Sequence, residues 1–218
     1  MIILALDTCL EACSVAVCDG DTVLAARTEA MSRGHQERLA PMVAEAMAAA
    51  GRPFADLRRV AVTVGPGSFT GLRVGLAFGK AAALALGVPC VGVGVLEALA
   101  ASVGRSGFVA ACVDARRGQL YLQVFADGHP IMAPDALEPE VAAARLVELW
   151  PGRPGMIVGS GAAMMAPILA GVSVCDRLVP DPVAVARLGA AARPPLPPPR
   201  PLYLRAPDAK LPGGAVPA

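Results

Sequence analysis

Two aspartates and two glycine-rich turns are the residues of this chain that could handle a phosphate. Asp7, followed by Thr8, ends the apolar run IILALD, and Asp114 ends a second such run, FVAACVD. A carboxylate at the end of a buried strand can hold a divalent cation or orient a water molecule. The stretch VTVGPGSFTGLRVG at 62–75 carries glycines, a proline and hydroxyls between a β-branched run and a helical pattern. Such a loop can cradle phosphate on the N–H groups at a helix start. A Gly-Ser-Gly turn at 159–161 would be a second contact. Asp7, Thr8, Gly159 and Gly161 are therefore the candidate phosphate-binding residues, vestigial if the chemistry has been lost. An aspartate closing a strand also serves as a turn or cap residue, and that reading stands beside the first.

Spacing weakens the nucleotide reading of the 62–75 loop. A P-loop needs lysine after its second glycine, and Leu72 follows Gly71. The dinucleotide fingerprint needs Gly-x-Gly-x-x-Gly, whereas glycines fall at 65, 67 and 71. Pro66 removes one N–H from the cradle. The two histidines, His35 and His129, form no zinc spacing, and no Gly-x-Ser-x-Gly elbow occurs. Six cysteines form no Cys-x-x-Cys pair, and several sit inside apolar runs, as reduced buried thiols do. No residue is assigned a catalytic or metal-ligating role, and no cofactor is expected.

The glycines do not stop at the loop. Gly71, Gly75, Gly79, Ala83 and Gly87 recur every four positions, which puts small residues on one helix face. An interior glycine costs roughly 0.5–1 kcal/mol relative to alanine, so close approach to another element must compensate. That element is either the chain's own sheet or a helix of another subunit, and Lys80 beside the stripe could pair across such an interface.

The elements that would position these residues run in two similar halves. Strands are expected at Ile2–Leu6, Ser14–Cys18, Thr22–Arg27, Val60–Val64 and Cys90–Val93, with helices over 35–50, 71–86 and 95–103. Pro41 should lie in the first turn of its helix or kink it. Ser68 and Thr70 are expected to cap the glycine helix. Then strand, aspartate, turn and strand return at Phe108–Val113 and Leu120–Phe125. Helices follow near 138–149, 162–170 and 181–192, with a strand at Met156–Val158. This is a duplicated α/β pattern, divided as 1–104, 105–192 and a proline-rich tail, 193–218. The tail cannot be helix or central strand; a strap over the domain or a disordered end fits it better than a dedicated proline-rich ligand, with PLYLR its expected ordered part. Net charge is +1, which announces neither a nucleic-acid nor a membrane partner. No apolar stretch of spanning length free of charges and turn residues is found, and no signal peptide, so a cytoplasmic location is expected.

Several motifs together resemble the TsaB (YeaZ) family. They are ILALDTCLEACSVAV at 3–17, SRGHQERLAPMV at 32–43, the 60–99 segment around GPGSFTGLRVG, VDARRGQLYLQVF at 113–125, VGSGA at 158–162, PDPVAVARLG at 180–189 and PLYLRAPDAK at 201–210. The resemblance covers nearly the whole chain. It implies the duplicated actin/hexokinase/Hsp70-like (ASKHA) fold, with mixed sheets flanked by helices. It further implies a non-catalytic subunit in bacterial synthesis of threonylcarbamoyladenosine in tRNA. Such a subunit homodimerises alone, pairs with a TsaD-type catalytic subunit, recruits a TsaE-type ATPase and meets tRNA only through the complex. In the catalytic paralogue a His-x3-His metal site follows the glycine helix. Its positions fall here on Val95 and Leu99, which cannot ligate a metal.

Carried onto the two N-terminal helices, the resemblance makes Leu39, Met42, Val43, Leu72, Gly75, Leu76, Gly79 and Lys80 the expected interface. Gly75→Leu or Gly79→Leu should then abolish partner binding and leave the monomer folded. The competing reading is an active ATP/Mg-dependent transferase or kinase of the same fold, using Asp7, Thr8, Asp114 and the 159–161 turn.

Overall fold

The computed structural model describes residues 1–104, 106–150, 155–169, 172–193 and 196–205. The first half contains strands β1 (Ile2–Asp7), β2 (Ala12–Asp19) and β3 (Thr22–Ala30), helix α1 (His35–Ala49), strand β4 (Arg59–Thr63), helix α2 (Phe69–Leu86), strand β5 (Cys90–Val93) and helix α3 (Val95–Ser102). The second half repeats the order with β6 (Phe108–Arg116), β7 (Gln119–Ala126), β8 (His129–Pro130), β9 (Asp135–Leu137), α4 (Pro139–Leu149), β10 (Gly155–Val158), α5 (Ala162–Met165), β11 (Ser173–Cys175) and α6 (Pro182–Ala191).

The first sheet has the order β3-β2-β1-β4-β5. β1 runs antiparallel to β2 and parallel to β4, in a register that places Asp7 opposite Ser14 and Leu6 beside Val62. The second sheet has the order β11-β10-β6-β7-β8, with β9 also on β7. β1 is buried along its whole length, because a central strand covered on both faces must be apolar throughout. The duplicated two-half reading of the sequence matches this topology. β8, β9 and β11 carry too few residues to show a period, and α5 is only a short turn of helix.

Helix termini follow their local chemistry. Ser68 caps α2, its Oγ accepting from the Gly71 N–H at 3.4 Å, and Gly87 ends the helix in the left-handed conformation. Thr70 lies inside the helix and is not its cap. Pro41 lies in the second turn of α1, not the first, on the exposed side.

The last helix of each half packs on the other half's sheet. α6 lies across β1, β2 and β4, and Val185 and Ala186 join Ile3, Ala5 and Ala61 in one cluster. Arg59 holds the far end of α6, donating from Nη1 to the carbonyls of Gly189 (2.6 Å), Ala190 (3.1 Å) and Ala192 (2.9 Å). α3 packs on β6 and β7. Leu96 and Leu99 therefore share a core with Val109, Val113 and Phe125 of the second half. Ser102 Oγ accepts from the Asp181 N–H at 2.8 Å and ties the two exchanged helices together. Of the expected tail, 196–205 lies over the first half as a strap, while 194–195 and 206–218 fall outside the described residues.

Candidate functional site

The ends of β1 and β6 face each other across a cleft of about 790 Å³. Its walls include the β1–β2 turn with the start of β2 (Cys9–Ala12), the loop before α2 (Gly67 and Ser68), the end of β6 leading into the β6–β7 turn (Val113–Arg116) and Ser160. Asp114 lines this cleft, whereas the phosphate candidates Asp7, Thr8, Gly159 and Gly161 are represented in its lining only by their chain neighbours Cys9 and Ser160. The candidates' donors and acceptors are largely occupied.

Asp7 is fully buried. Its Oδ1 accepts from Thr63 Oγ1 at 2.6 Å and from the Cys9 N–H at 3.0 Å. Oδ2 has no hydrogen-bond partner among the described residues, and neither has Ser14 Oγ on the paired strand. Burial pushes the Asp7 carboxyl above its ordinary range, outweighing the opposing pull of the Thr63 and Cys9 hydrogen bonds. Thr8 Oγ1 donates to the Gly71 carbonyl at 2.7 Å and so fastens β1 to the start of α2.

In the 159–161 turn the Gly159 N–H donates to Arg177 O (3.0 Å), and the Gly161 N–H donates to Cys112 O (2.9 Å). Both glycines press on the Cys112 carbonyl, and Gly159 has φ +107°, so close approach explains their type without a phosphate. Asp114 serves the β6–β7 turn: Oδ1 accepts from the Arg116 N–H at 2.7 Å, and its own N–H donates to Ser160 Oγ at 3.1 Å. Arg116 reaches across the cleft to Glu11 at 2.9 Å, a pair that sequence reading did not foresee because its partners lie in different halves.

The cysteines are free thiols. Burial pushes Cys13 and Cys90 up to about 11 and Cys112 up to about 12, and it raises Cys9 as well. None of these four is a thiolate near neutral pH, so none of them offers a ready nucleophile. Among the described residues no cluster of three or more His, Cys, Asp or Glu could hold a metal ion. Val95 and Leu99 are fully buried aliphatics on α3.

The second candidate region is the α1–α2 pair, and here the structure corrects the expected interface. Leu39, Met42, Val43, Leu72 and Leu76 belong to the buried core of the monomer. Gly75 and Gly79 face inward too: a Cβ on Gly75 would meet Thr8 Oγ1 at 2.5 Å, and one on Gly79 would meet Val62 Cβ at 3.3 Å. The glycine stripe exists to let α2 sit on β1 and β4, and side chains buried there cannot be a partner's contact atoms. Of the eight expected interface residues only Lys80 is exposed. Gly75→Leu would therefore disrupt the monomer itself.

The opposite face of α2 is the surface that the sequence reading missed. Phe69, Thr70, Arg73, Ala77, Lys80, Ala81, Leu84 and Ala85 are exposed, and Leu84 is 84% accessible. On α1, Ala40, Pro41, Ala44 and Ala48 are exposed beside it. α2 has the length and hydropathy of a membrane-crossing helix, and only 33% of it is buried. Its charged residues are Arg73 and Lys80 alone. A helix packed on a sheet through glycine but apolar on its outer side as well carries more apolar surface than its own fold uses.

Comparison with known proteins places these features in a group. The sequence model of the tRNA N6-adenosine threonylcarbamoyltransferase family, TsaD, matches residues 24–151. The tRNA threonylcarbamoyladenosine biosynthesis protein TsaB of Escherichia coli K12 is 40% identical over 124 residues, which is 56% of this chain and 53% of that protein. The chain thus aligns with about half the length of this curated relative. The solved structure of YeaZ from Pseudomonas aeruginosa superposes with a TM-score of 0.80 at 30% identity, covering 93% of this chain and 99% of that one. An inorganic polyphosphate/ATP-glucomannokinase of an Arthrobacter strain superposes with a TM-score of 0.51 at 14% identity over 87% of this chain and 98% of that one, a likeness of fold alone.

Proposed function

The chain belongs to the TsaB/YeaZ family, and from that premise we propose that it acts in threonylcarbamoyladenosine synthesis on tRNA as a non-catalytic subunit. It docks a TsaD-type catalytic subunit through the outward faces of α1 and α2, forms a homodimer through the same face when alone, and meets tRNA through the complex. A TsaE-type ATPase joins the assembled pair, and the assembly works in the cytoplasm. The observation that carries this reading is the unburied apolar side of α2, centred on Leu84 and flanked by Ala77, Ala81 and Lys80. Small residues there permit two helices to approach closely, and a leucine standing clear of its own domain is a ready anchor for a partner pocket. The cleft supports the non-catalytic half of the reading. The Gly159 and Gly161 amides next to it already donate within the fold, and aliphatic Val95 and Leu99 stand where the resemblance would put metal ligands.

The test is co-expression with the TsaD-type subunit of the same genome. The wild-type chain should co-purify with it in stoichiometric amount, and Leu84→Asp should not, at unchanged thermal stability. Co-purification of Leu84→Asp at wild-type yield would reject the docking face.

A nucleotide-dependent transferase is the second reading, favoured by one observation: the cleft between the halves is large and open at Ser68, Ser160 and Arg116. Titration calorimetry with ATP and Mg²⁺ separates the two. Saturable micromolar binding by the isolated chain would favour the transferase, and absence of heat would leave the assembly role.

A further inference from the structure

The cleft between the halves has a floor and a mouth that are held in different ways. Its floor is the shared core under the exchanged helices α3 and α6. Across its mouth runs the Arg116–Glu11 pair, whose side chains are 73% and 71% exposed. An ion pair that exposed holds little by itself.

The tail stretch 199–205 crosses at the same end of the cleft. Pro199 is buried and lies against Gly92 of β5. The Leu202 N–H donates to Val64 O at 2.7 Å. Tyr203 stacks on Phe69 with ring centroids 5.6 Å apart, and its hydroxyl accepts from Arg73 Nε at 3.2 Å. The Arg73 guanidinium lies 3.7 Å from the Phe69 centroid. Two residues further on, Arg205 Nη1 donates to Ala115 O at 2.6 Å and to Arg116 O at 3.3 Å, in the β6–β7 turn of the second half.

One short strand of chain is thus anchored on the edge of the first sheet, on the start of α2 and on the second half in succession. Those seven residues span at most about 25 Å when extended, so little slack separates the anchors. Pro197, Pro198, Pro199 and Pro201 restrict the backbone before docking, which lowers the entropy lost on binding.

We infer that residues 199–205 are a clasp that fixes the opening of the cleft by tying the start of α2 to the β6–β7 turn. The shared core around α3 and α6 joins the halves at the floor, so the freedom left to them is at the mouth, where the exposed Arg116–Glu11 pair holds little. The clasp removes that freedom at the mouth, where the shared core does not reach. It also makes the loop before α2 and the β6–β7 turn, the two walls that bear Ser68 and Arg116, move as one body.

Spin labels on exposed Glu37→Cys of α1 and Glu140→Cys of α4 test this in the full chain, with Cys90 and Cys175 changed to serine. Double electron–electron resonance should give a narrow distance distribution for this parent. Tyr203→Ala with Arg205→Ala should broaden it and shift it by several ångströms, while Tyr203→Phe, which keeps the stack, should leave it narrow. If the double variant does not fold, Arg205→Met should broaden the distribution, because methionine keeps the length of the stem but has no N–H to donate to the Ala115 and Arg116 carbonyls. An unchanged distribution in the clasp variants overturns the inference. The measurement involves no partner, so it stands apart from the assembly role proposed above.

Discussion

The two faces of α2 are built from nearly the same residue types and do opposite work. Inward, Gly71, Gly75 and Gly79 give up their side chains so that the helix axis can lie against Thr8 and Val62. Outward, Ala77, Ala81 and Leu84 stand on a surface that no element among the described residues covers. Smallness on the inner face is a requirement of the monomer's own sheet, whereas on the outer face it leaves room for a second molecule. A stripe of small residues says that something comes close. It does not say what, and a four-residue period cannot tell the sheet from a partner.

The largest effect should come from filling the inner face. In Gly75→Leu the new side chain meets Thr8, which is held by its own hydrogen bond to Gly71 O and cannot retreat. Overpacking against a fixed neighbour puts the loss at about 3 kcal/mol or more. For a chain of this size the Tm should fall by about 10 °C. A melt of Gly75→Leu that matches wild type, with partner binding lost, would reverse the assignment of the two faces.

The next effect belongs to the outer face and should leave stability alone. Leu84→Asp changes an exposed side chain, so the Tm should shift by no more than about 2 °C. Its affinity for the TsaD-type subunit should fall by roughly 30-fold, the consequence of losing an anchor worth about 2 kcal/mol. Calorimetry on the purified pair reads both numbers. Lys80→Ala, at the rim of the same face, should weaken binding by less.

Much of this was legible in the sequence, and what was not has physical reasons. Strand and helix periods located every long element, and the strand–aspartate–turn–strand repeat exposed the duplication. Ser68 was readable as a cap from its place ahead of the helical pattern. The direction of the glycine face was not readable, because Leu72 and Leu76 suit a core and an interface equally well. The exchange of α3 and α6 was hidden because both helices are apolar and only the tertiary fold chooses their sheets. Glu11 and Arg116 sit 105 residues apart, and no local signal pairs them. The tail's proline content announced an extended strap, but the partners of Tyr203 and Arg205 lie in other elements.

Ionisable groups on the two sides of the first half sharpen the same contrast, because their pH dependences have opposite signs. Beneath the cleft, burial raises the Asp7 carboxyl above its ordinary 3.8. The folded state then binds the proton more tightly than the unfolded chain does. Its contribution is fully present below 3.8 and is lost as pH rises through the folded value. Asp7→Asn, whose amide oxygen can still accept from Thr63 and Cys9, should abolish that decline in melts taken from acid to neutral pH. An identical slope in the variant would mean that Asp7 does not titrate in this way.

The smallest effect should come from the exposed network on α1 and β3. Arg38 donates to Glu29 and to Glu45, and these hydrogen bonds hold both carboxyls below their ordinary 4.5. Here the folded state releases protons more readily than the unfolded chain. Stability from the network is present above 4.5 and is lost as pH falls through the lowered values. Arg38→Ala should therefore cost a little at neutral pH, and the gap to wild type should close in acid and in high salt, since water and ions screen groups this exposed. A gap that persists in molar salt would point to packing by the arginine stem as its source.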